Sequence, residues 1–491
     1  VVVMAPASSY GSTPAGVDAD AAPASDPEWV SVVKRVTGAA PATAERLDVL
    51  KYLLIVLVVA AQFSEPFYHV DNKPAACFIF FAYQFAGPGF VLISGYVSND
   101  LNARRRRALI AGVIFPFLVL HFLYSAWYTE AFCRGDDAET CQITYNYSMI
   151  DPAAGKWNSW GKDWTFAYPF GNLWYLMALL QMRAWRQFAL EMRAPILFHV
   201  ALALLVGYAA IGEYLALQRV FKFTPYFLTG FLMKKHGAFF PVARGDAAVF
   251  TCVGALLLNV GLACVAGTQM SYSTGGEKIL SGKYPYDDTY GNYWPYGAFY
   301  QLGLYAWSFG AMAIVFALVR DPSDYGVKYS SGDAGSTKDA GFTKMHDGKS
   351  EEESLLGGAV KSKLRAYDQG VGARGGRSKA AARYARESEQ SKYAINARSY
   401  LRAAKYGSRS FYPFCLHTAV FLFLAHATGW YDVCEKYSGG HGAVHLRFFF
   451  SVVMAFIVAT GLSLKPVVYV ARHVLEPNLS FIFGKEEKHE A

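Results

Sequence analysis

Polar side chains inside apolar segments are the residues of this chain that could carry chemistry, because such groups are costly in hydrocarbon. Gln62 lies near the end of the first apolar segment and could make an interhelical hydrogen bond, while Glu65 follows at its rim. Asp48 and Lys51 begin that segment, and their spacing of three residues would let them pair on one helical face. His417 lies about two helical turns into a later segment. A neutral histidine bonded to a neighbour is the simpler interpretation of His417.

A second candidate group follows the next apolar segment, where Arg104 to Arg107 are four consecutive arginines. Such a run is most often a stop-transfer cluster, and the alternative is a clamp for an anionic ligand such as the phosphates of a nucleotide-bearing donor. Ser94 places a hydroxyl near the same end of that segment. The sequence has no Walker-type phosphate loop, no GxSxG element and no paired Cys or His spacing typical of zinc, so we expect no metal.

The composition predicts that these residues are held by membrane helices. Hydrophobic residues make up 53% of the 491 residues and charged residues 17%, against roughly 25% in a soluble domain. Apolar blocks of about twenty residues, the length that crosses a bilayer, recur along the chain. This excludes a soluble enzyme, and seven widely spread cysteines exclude a small disulfide-stapled domain. We expect an all-α, polytopic integral membrane helical bundle embedded in a lipid bilayer.

The apolar segments suggest about ten transmembrane helices, at 48–64, 75–98, 108–128, 171–190, 194–214, 221–234, 246–268, 293–319, 409–428 and 445–470. The sixth is short and contains Pro225 and Gly230, which predicts a tilted or partly re-entrant helix. Gly87-Pro88-Gly89 in the second segment would kink or unwind it.

The net charge of +8 predicts the orientation rather than a nucleic-acid partner. The basic loops fall on one side if all ten segments cross, and the positive-inside rule makes that side cytoplasmic, together with both termini. The opposite loop, 129–170, contains Cys133, Cys141 and the sequon at Asn146, which suit an oxidising, glycosylating compartment. The two cysteines could form a disulfide or remain free thiols. We expect an endomembrane (ER or Golgi) or the plasma membrane.

The charge and apolar pattern divides the chain into five parts. Residues 45–320 and 408–472 form the membrane domain, with spans one to eight and nine to ten. Residues 1–44 and 473–491 are predicted to be cytoplasmic tails, the first of them disordered and without a signal peptide. Residues 321–407 are rich in Gly, Ser and Lys and read as a disordered, basic cytoplasmic insertion.

Several segments, in the right order, resemble the membrane acyltransferase-3 family, and within it the branch similar to fucose 4-O-acetylases. The resemblance is scattered over residues 46 to about 428 and leaves out the tails and the insertion. The segments that carry it are Asp48-x-x-Lys51-x-x-Leu54-Ile55, Phe85-x-x-Pro88-x-Phe90-x-x-Ile93-Ser94-Gly95-Tyr96, Asn172-Leu173-Trp174-Tyr175-Leu176, Pro225-Tyr226-Phe227-Leu228-x-Gly230-Phe231-Leu232-x-Lys234-Lys235 and Ser408-Arg409-Ser410-x-Tyr412-x-x-x-Leu416-His417.

The resemblance implies transfer of an acyl group, usually acetyl, from a cytoplasmic coenzyme A thioester to a hydroxyl of a carbohydrate-like acceptor. Acetyl-CoA or another acyl-CoA would then be the donor substrate. In the family, arginines after helix two belong to the donor site, which implies that role for Arg104 and Arg107 here. By the same carry-over, Arg46 and Asp48 would orient groups at the cytoplasmic mouth. The full set of donor-site candidates is Arg46, Lys51, Ser94, Arg104 and Arg107.

The chain departs from the family at two histidines. Gln62 occupies the position of the helix-one histidine that is thought to be the general base, and Ala86 that of the helix-two histidine. His69 or Glu65 could supply the base from a shifted position. Alternatively, the protein binds without catalysis, or it is a transporter-like relative. We favour an active acyltransferase because the arginine cluster is retained. The catalytic candidates are Gln62, Glu65, His69, Asp48 and His417.

Overall fold

The computed structural model describes residues 43–69, 72–99, 106–132 except 108, 169–211 except 170 and 210, 214–269, 280–320 except 281 and 283, 399–424 and 441–476. All regular secondary structure in these ranges is helical, and they contain no strand. The all-α fold class is therefore confirmed for the described part of the chain. Cys133, Cys141, Asn146 and the predicted tails and insertion, apart from a few residues at their borders, lie outside the described residues.

The helices follow the apolar segments closely. They are α1 (Ala44–His69), α2 (Lys73–Val97), α3 (Phe115–Phe132), α4 (Trp174–Ala189), α5 (Pro195–Val206), α6 (Leu217–Lys235), α7 (Asp246–Gln269), α8 (Tyr286–Tyr290), α9 (Gly297–Leu318), α10 (Phe411–Leu422), α11 (His441–Leu462) and α12 (Lys465–Leu475). A π-helical turn, Ile110–Ile114, leads into α3, and the 3₁₀ turns Gly171–Leu173, Tyr214–Ala216 and Gly291–Tyr296 precede α4, α6 and α9.

Five helical stretches of the described residues are long and apolar enough to cross a membrane. They are Ala44–Phe67, Lys73–Val97, Asp246–Thr268, Asn292–Leu318 and His445–Leu462. Helix α7 leaves large apolar side chains such as Phe250 and Leu257 exposed, as a lipid-facing helix would. The other five predicted segments hold shorter or more polar helices, so the number of ten crossings stays a prediction.

Helix α2 lies at the centre of the bundle, between α1, α6 and α7. Glycines bring it into backbone contact with α6: a Cβ atom on Gly95 would lie 2.0 Å from the Phe227 carbonyl oxygen, and one on Gly230 would lie 1.9 Å from that of Leu92. Helix α2 continues through Gly87-Pro88-Gly89 as one helix, so the predicted unwinding is wrong. Helix α6 is likewise unbroken despite Pro225, and its tilted or partly re-entrant course in the membrane stays a prediction.

We call the end of the bundle at Ala44, where α1 begins, the proximal end, and the end at His69 the distal end. The described residues 399–407, at the border of the predicted insertion, are helical, and Gly407 packs against the Asp48 backbone at the proximal end. The tenth segment is shorter than predicted, because α11 stops at Leu462. After a turn, α12 continues as an amphipathic helix that buries Val468, Ala471 and Leu475.

Candidate functional site

The side-chain amide of Asn172 links Gln62 to His417 inside the bundle. Asn172 Nδ2 donates to Gln62 Oε1 at 2.7 Å and lies 2.9 Å from His417 Nε2. Gln62 comes from α1, Asn172 from the 3₁₀ turn before α4, and His417 from α10. Gln62 is 2% exposed and His417 is fully buried. Two of the catalytic candidates therefore meet, and we call these three residues the amide–imidazole chain.

Hydrogen bonding fixes the tautomer of His417. Its Nδ1 lies 2.7 Å from the carbonyl oxygen of Pro413, which can only accept a hydrogen bond, so Nδ1 carries the proton. In the neutral ring, Nε2 is then an acceptor, and the Asn172 amide group that faces it is the NH₂ group. The lone pair of Nε2 therefore points at Asn172, and the ring is anchored from behind by the backbone of its own helix.

Local sequence explains how Asn172 comes to lie between Gln62 and His417. Gly171 adopts a φ of +47°, a conformation that glycine accepts readily, and this lets the chain turn sharply just before α4. The turn packs against α10 beside His417, since a Cβ on Gly171 would lie 3.8 Å from Thr418 Cγ2. An edge contact between Phe63 and Phe421, with ring centroids 5.6 Å apart, holds α10 against α1 at the same level.

Glu65, one turn after Gln62, belongs to a neighbouring polar cluster. It is 7% exposed, and the Tyr83 hydroxyl donates to its Oε1. Tyr83 also lines a small cleft between α2, α6 and α9, which has a cavity volume of about 30 Å³ and opens to solvent. The residues with polar side-chain groups that line this cleft are Tyr83, Gln84, Lys222, Tyr226, Gln301 and Ser308. Through Tyr83 and Glu65, the cleft is linked to a residue of α1 that lies one helical turn from Gln62.

Arg46 lies at the proximal end and is bound to backbone. Its Nε donates to the Val319 carbonyl at 2.9 Å, and its Nη2 to the carbonyls of Phe316 at 2.8 Å and Phe240 at 3.0 Å. The side chain is 2% exposed and stacks on the Phe239 ring, 5.1 Å from its centroid. This arrangement joins α1 to the end of α9 and the segment after α6.

The other candidates near the proximal end do not form one site with Arg46. Asp48 and Lys51 make the predicted ion pair, which is confirmed. The Ser94 hydroxyl hydrogen-bonds the Tyr175 hydroxyl between α2 and α4. Arg107 is half-buried just before the π-helical turn. Arg104 lies outside the described residues, as does the side chain of His69, the last residue of α1.

Basic side chains from α4 and α6 surround the proximal end of α2. Arg186, 1% exposed, donates to the Asn99 carbonyl at 2.9 Å, and Lys234 donates to Asn99 Oδ1 at 2.7 Å. Positive charge is favourable at this end of α2 because of the helix dipole. Arg183 lies one turn before Arg186, and its buried Nε has no hydrogen-bond partner among the described residues. Nowhere among the described residues does a group of three or more His, Cys, Asp or Glu side chains come together that could hold a metal ion.

A family model matches most of the membrane helices of the chain. The model described as Acyl_transf_3, an acyltransferase domain, matches residues 45–330, more than half of the chain. The chain belongs to the acyltransferase-3 family. With its apolar helices, it is a multi-pass integral membrane protein that carries the acyltransferase domain. The comparisons with curated proteins and with solved structures gave no match.

The amide–imidazole chain crosses the boundary of the matched acyltransferase-3 region. Gln62 and Asn172 lie within residues 45–330, whereas His417 lies beyond them, after the long basic insertion. Helix α10 nevertheless returns to pack on α1 and the turn before α4. A histidine outside the matched region thus enters the core of the domain.

Sequence reasoning missed two residues of this candidate site. Asn172 stands in a segment that resembles the family, but its amide gives no signal of its own. Lys222 gave a usable signal, because it is an ionisable residue inside the apolar segment 221–234. In the structure it is 4% exposed and donates to the Tyr284 carbonyl at 2.8 Å.

Proposed function

We propose that the protein transfers an acyl group, in the first place acetyl, from acyl-CoA to a hydroxyl of a carbohydrate or similar acceptor, with His417 as general base. The observation that supports this most is the hydrogen-bonded chain from Gln62 through Asn172 to His417. In the resemblance, a histidine occupies the position of Gln62. Here the His417 imidazole, which comes from α10, is connected to that position through hydrogen bonds to the Asn172 side-chain amide.

His417 has the geometry that a general base needs. Its Nδ1–H is held by the Pro413 carbonyl, so the ring keeps its orientation and Nε2 presents the basic lone pair. In the free protein, Nε2 accepts a hydrogen bond from Asn172. The acceptor hydroxyl would replace the Asn172 amide at Nε2. Asn172 and Gln62 are then positioning residues that set where the hydroxyl arrives.

The chemical step is an acyl exchange between sulfur and oxygen. His417 Nε2 takes the proton of the acceptor hydroxyl as its oxygen attacks the thioester carbonyl carbon. The carbon–sulfur bond breaks, and the coenzyme A thiolate leaves with the electron pair of that bond. The imidazolium returns its proton to the thiolate. The products are the O-acyl ester and the free thiol of coenzyme A.

We assign the donor phosphates to the proximal end of the bundle. Arg107 and Arg104 carry the role implied by the resemblance, and the unpartnered Nε of Arg183 lies on the helix that leads from Asn172 toward that end. Guanidinium groups suit phosphate oxygens because they offer paired, charged donors. The donor would come from the cytoplasm, which also contains both termini, and the acceptor from the opposite, lumenal or extracellular, side. Arg46 is left out of the donor site because backbone carbonyls engage it.

Purified full-length protein in nanodiscs, given radiolabelled acetyl-CoA and a panel of soluble glycans, tests this proposal. We expect label in the glycan fraction and a loss of about 100-fold or more in rate for His417→Gln. His199→Gln is the matched control, because His199 is also buried, with Nδ1 2.7 Å from the Pro195 carbonyl and Nε2 accepting from Trp185 at 2.7 Å. Equal losses in both variants, or no transfer by the wild type to any acceptor, would contradict the proposal.

A catalytically silent relative is the second candidate function. Gln62 and the buried Ala86 stand where the family has histidines, and this favours a protein that binds donor or acceptor without chemistry. Such a protein would bind acetyl-CoA in the same nanodiscs with no label transferred. The silent protein would also bind acetyl-CoA equally well after His417→Gln, because His417 would not act as a base.

A further inference from the structure

The cleft beside Glu65 contains a buried cation without a matching carboxylate. Lys222 is 4% exposed, and no carboxylate of the described residues lies within ion-pair distance of its Nζ. One ammonium hydrogen is used by the Tyr284 carbonyl at 2.8 Å, and the Tyr286 ring lies 5.4 Å away. Two donors of the ammonium group therefore have no acceptor in the described part of the protein.

The surroundings of Lys222 do not neutralise it. Burial raises the pKa of the Tyr286 phenol above its usual range, so that hydroxyl stays neutral. Arg219, one turn earlier on α6, adds a second positive charge nearby and stacks on Trp174, 4.6 Å from the ring. An ammonium group held in such a place is costly unless an anion joins it.

The same cleft offers hydrogen-bonding groups for a polyhydroxylated molecule. Gln84 is 1% exposed, and its Nε2 donates to Asn259 at 2.6 Å, while its buried Oε1 has no hydrogen-bond partner among the described residues. Gln301 on α9 also lines the cleft, and the structure gives its amide no hydrogen bond to the described residues. An unpaired buried carbonyl oxygen is the acceptor that a ligand hydroxyl would satisfy.

We propose that this cleft binds the acceptor, and that the acceptor is a hydroxyl-rich molecule bearing an oxyanion, a carboxylate or a phosphate, which Lys222 holds while Gln84 and Gln301 hydrogen-bond its hydroxyls. Tyr83, which lines the cleft, donates to Glu65 on α1, one helical turn from Gln62. We infer from this link that a ligand anchored at Lys222 extends toward the amide–imidazole chain. This inference rests on the proposed acyl transfer, because it names the acceptor class of the same reaction. The inference goes beyond the proposed function because it requires a negative charge on the acceptor.

Ligand-induced thermal stabilisation of the full-length protein in nanodiscs tests the charge requirement without any catalysis. The probes are glucuronate, glucose 6-phosphate and glucose at matched ionic strength. We expect at least one of the two anionic sugars to stabilise the wild type with an apparent affinity about tenfold or more above that of glucose. Which of the two binds better distinguishes a carboxylate from a phosphate. Equal affinities for all three sugars, or no stabilisation by any of them, would overturn the proposal.

Variants of Lys222 separate its charge from its packing. Lys222→Met should bring the affinity for the anionic sugars down to that for glucose, whereas Lys222→Arg should keep the preference. Lys235→Met, at an exposed position of the same helix, is the control and should leave all three affinities unchanged. If Lys222→Met does not fold, Gln301→Leu gives the second test, because it should weaken the anionic probes at least threefold while the Lys222-dependent preference over glucose remains. An unchanged anionic affinity in Gln301→Leu would contradict the assigned cleft.

Failure of this inference is distinguishable from failure of the proposed function. A wild-type protein that binds the anionic sugars but never transfers label contradicts acyl transfer and leaves the anion site in place. A wild-type protein that acetylates neutral and anionic glycans equally, with Lys222→Met unaffected, contradicts the anion site and leaves acyl transfer in place.

Discussion

Gln62 and His417 hydrogen-bond to the same side-chain amide, that of Asn172, at 2.7 and 2.9 Å. One position comes from the first helix and the other from a helix that follows the long insertion. Because a single amide separates them, an imidazole on either helix would reach the same small region of the bundle. In the proposed reaction, the general base could therefore come from α1 or from α10 without a change in where the substrates bind.

Restoring a histidine on α1 should rescue a protein that lacks the one on α10. We expect Gln62→His in the His417→Gln background to recover part of the acetyl transfer, at least tenfold over His417→Gln alone, because the new imidazole faces the same Asn172 amide. Rates of label transfer from acetyl-CoA measure this. Phe63→His, one residue further along α1, is the control and should rescue nothing. Equal rates in the two double variants would contradict the shared location of the base.

Arg107 should contribute to donor binding more than its neighbour does. Arg107 is half-buried and Arg106 is exposed, although both belong to the same run. We expect Arg107→Ala to raise the KM for acetyl-CoA about tenfold with a small change in kcat, because a lost phosphate contact weakens ground-state and transition-state binding alike. Arg106→Ala should change the KM less than about threefold. Equal, small effects would favour the stop-transfer interpretation of the arginine run.

The contact between α2 and α6 should depend on Gly95. An alanine there would place its Cβ 2.0 Å from the Phe227 carbonyl oxygen, so the helices would have to separate. We expect Gly95→Ala to destabilise the fold by about 1–3 kcal/mol, the usual cost of overpacking. Gly254→Ala on α7 is the control, since its Cβ would meet nothing within 4 Å, and it should keep or raise the Tm. Thermal unfolding in the same detergent compares the two.

The sequence predicted the helices well because their signal is local. Runs of apolar residues placed a helix at every one of the ten predicted positions, and the i, i+3 spacing predicted the Asp48–Lys51 pair. Sequence-based prediction failed where the packing of neighbouring helices decides whether a helix continues or ends. Proline and glycine suggested an interruption at Pro88 and Pro225, but neighbouring helices bury both segments and the helices continue through them. The end of α11 at Leu462 was missed because the apolar run continues into α12.

The candidate site could be predicted residue by residue, but not as an assembly. Gln62 and His417 were each recognisable as polar residues in apolar segments, yet nothing in the sequence joins them. Their link requires the positive φ of Gly171, which turns Asn172 between α1 and α10. Arg46 shows the opposite case. Its charge suggested a ligand, whereas backbone carbonyls from two distant segments, the end of α9 and the stretch after α6, surround it.

Arg46 should stabilise the protein far more than its neighbour Lys51 does. Replacing Arg46 by Met would leave three carbonyls, those of Val319, Phe316 and Phe240, without its donors, at about 1–3 kcal/mol for each one that stays buried. Lys51→Met removes only an ion pair whose side chains are 24% and 23% exposed, which typically costs about 0–1 kcal/mol. We therefore expect a large fall in Tm for Arg46→Met and a small one for Lys51→Met.

A further variant, Arg46→Lys, tests the donor role that the resemblance implies for Arg46. Arg46→Lys keeps the charge but not the planar set of donors, so a structural arginine should lose stability on this change. A KM for acetyl-CoA that stays unchanged while the Tm falls would assign Arg46 to the joint between α1 and α9. A raised KM at an unchanged Tm would instead return Arg46 to the donor site, because only a lost phosphate contact weakens donor binding without loosening the helices.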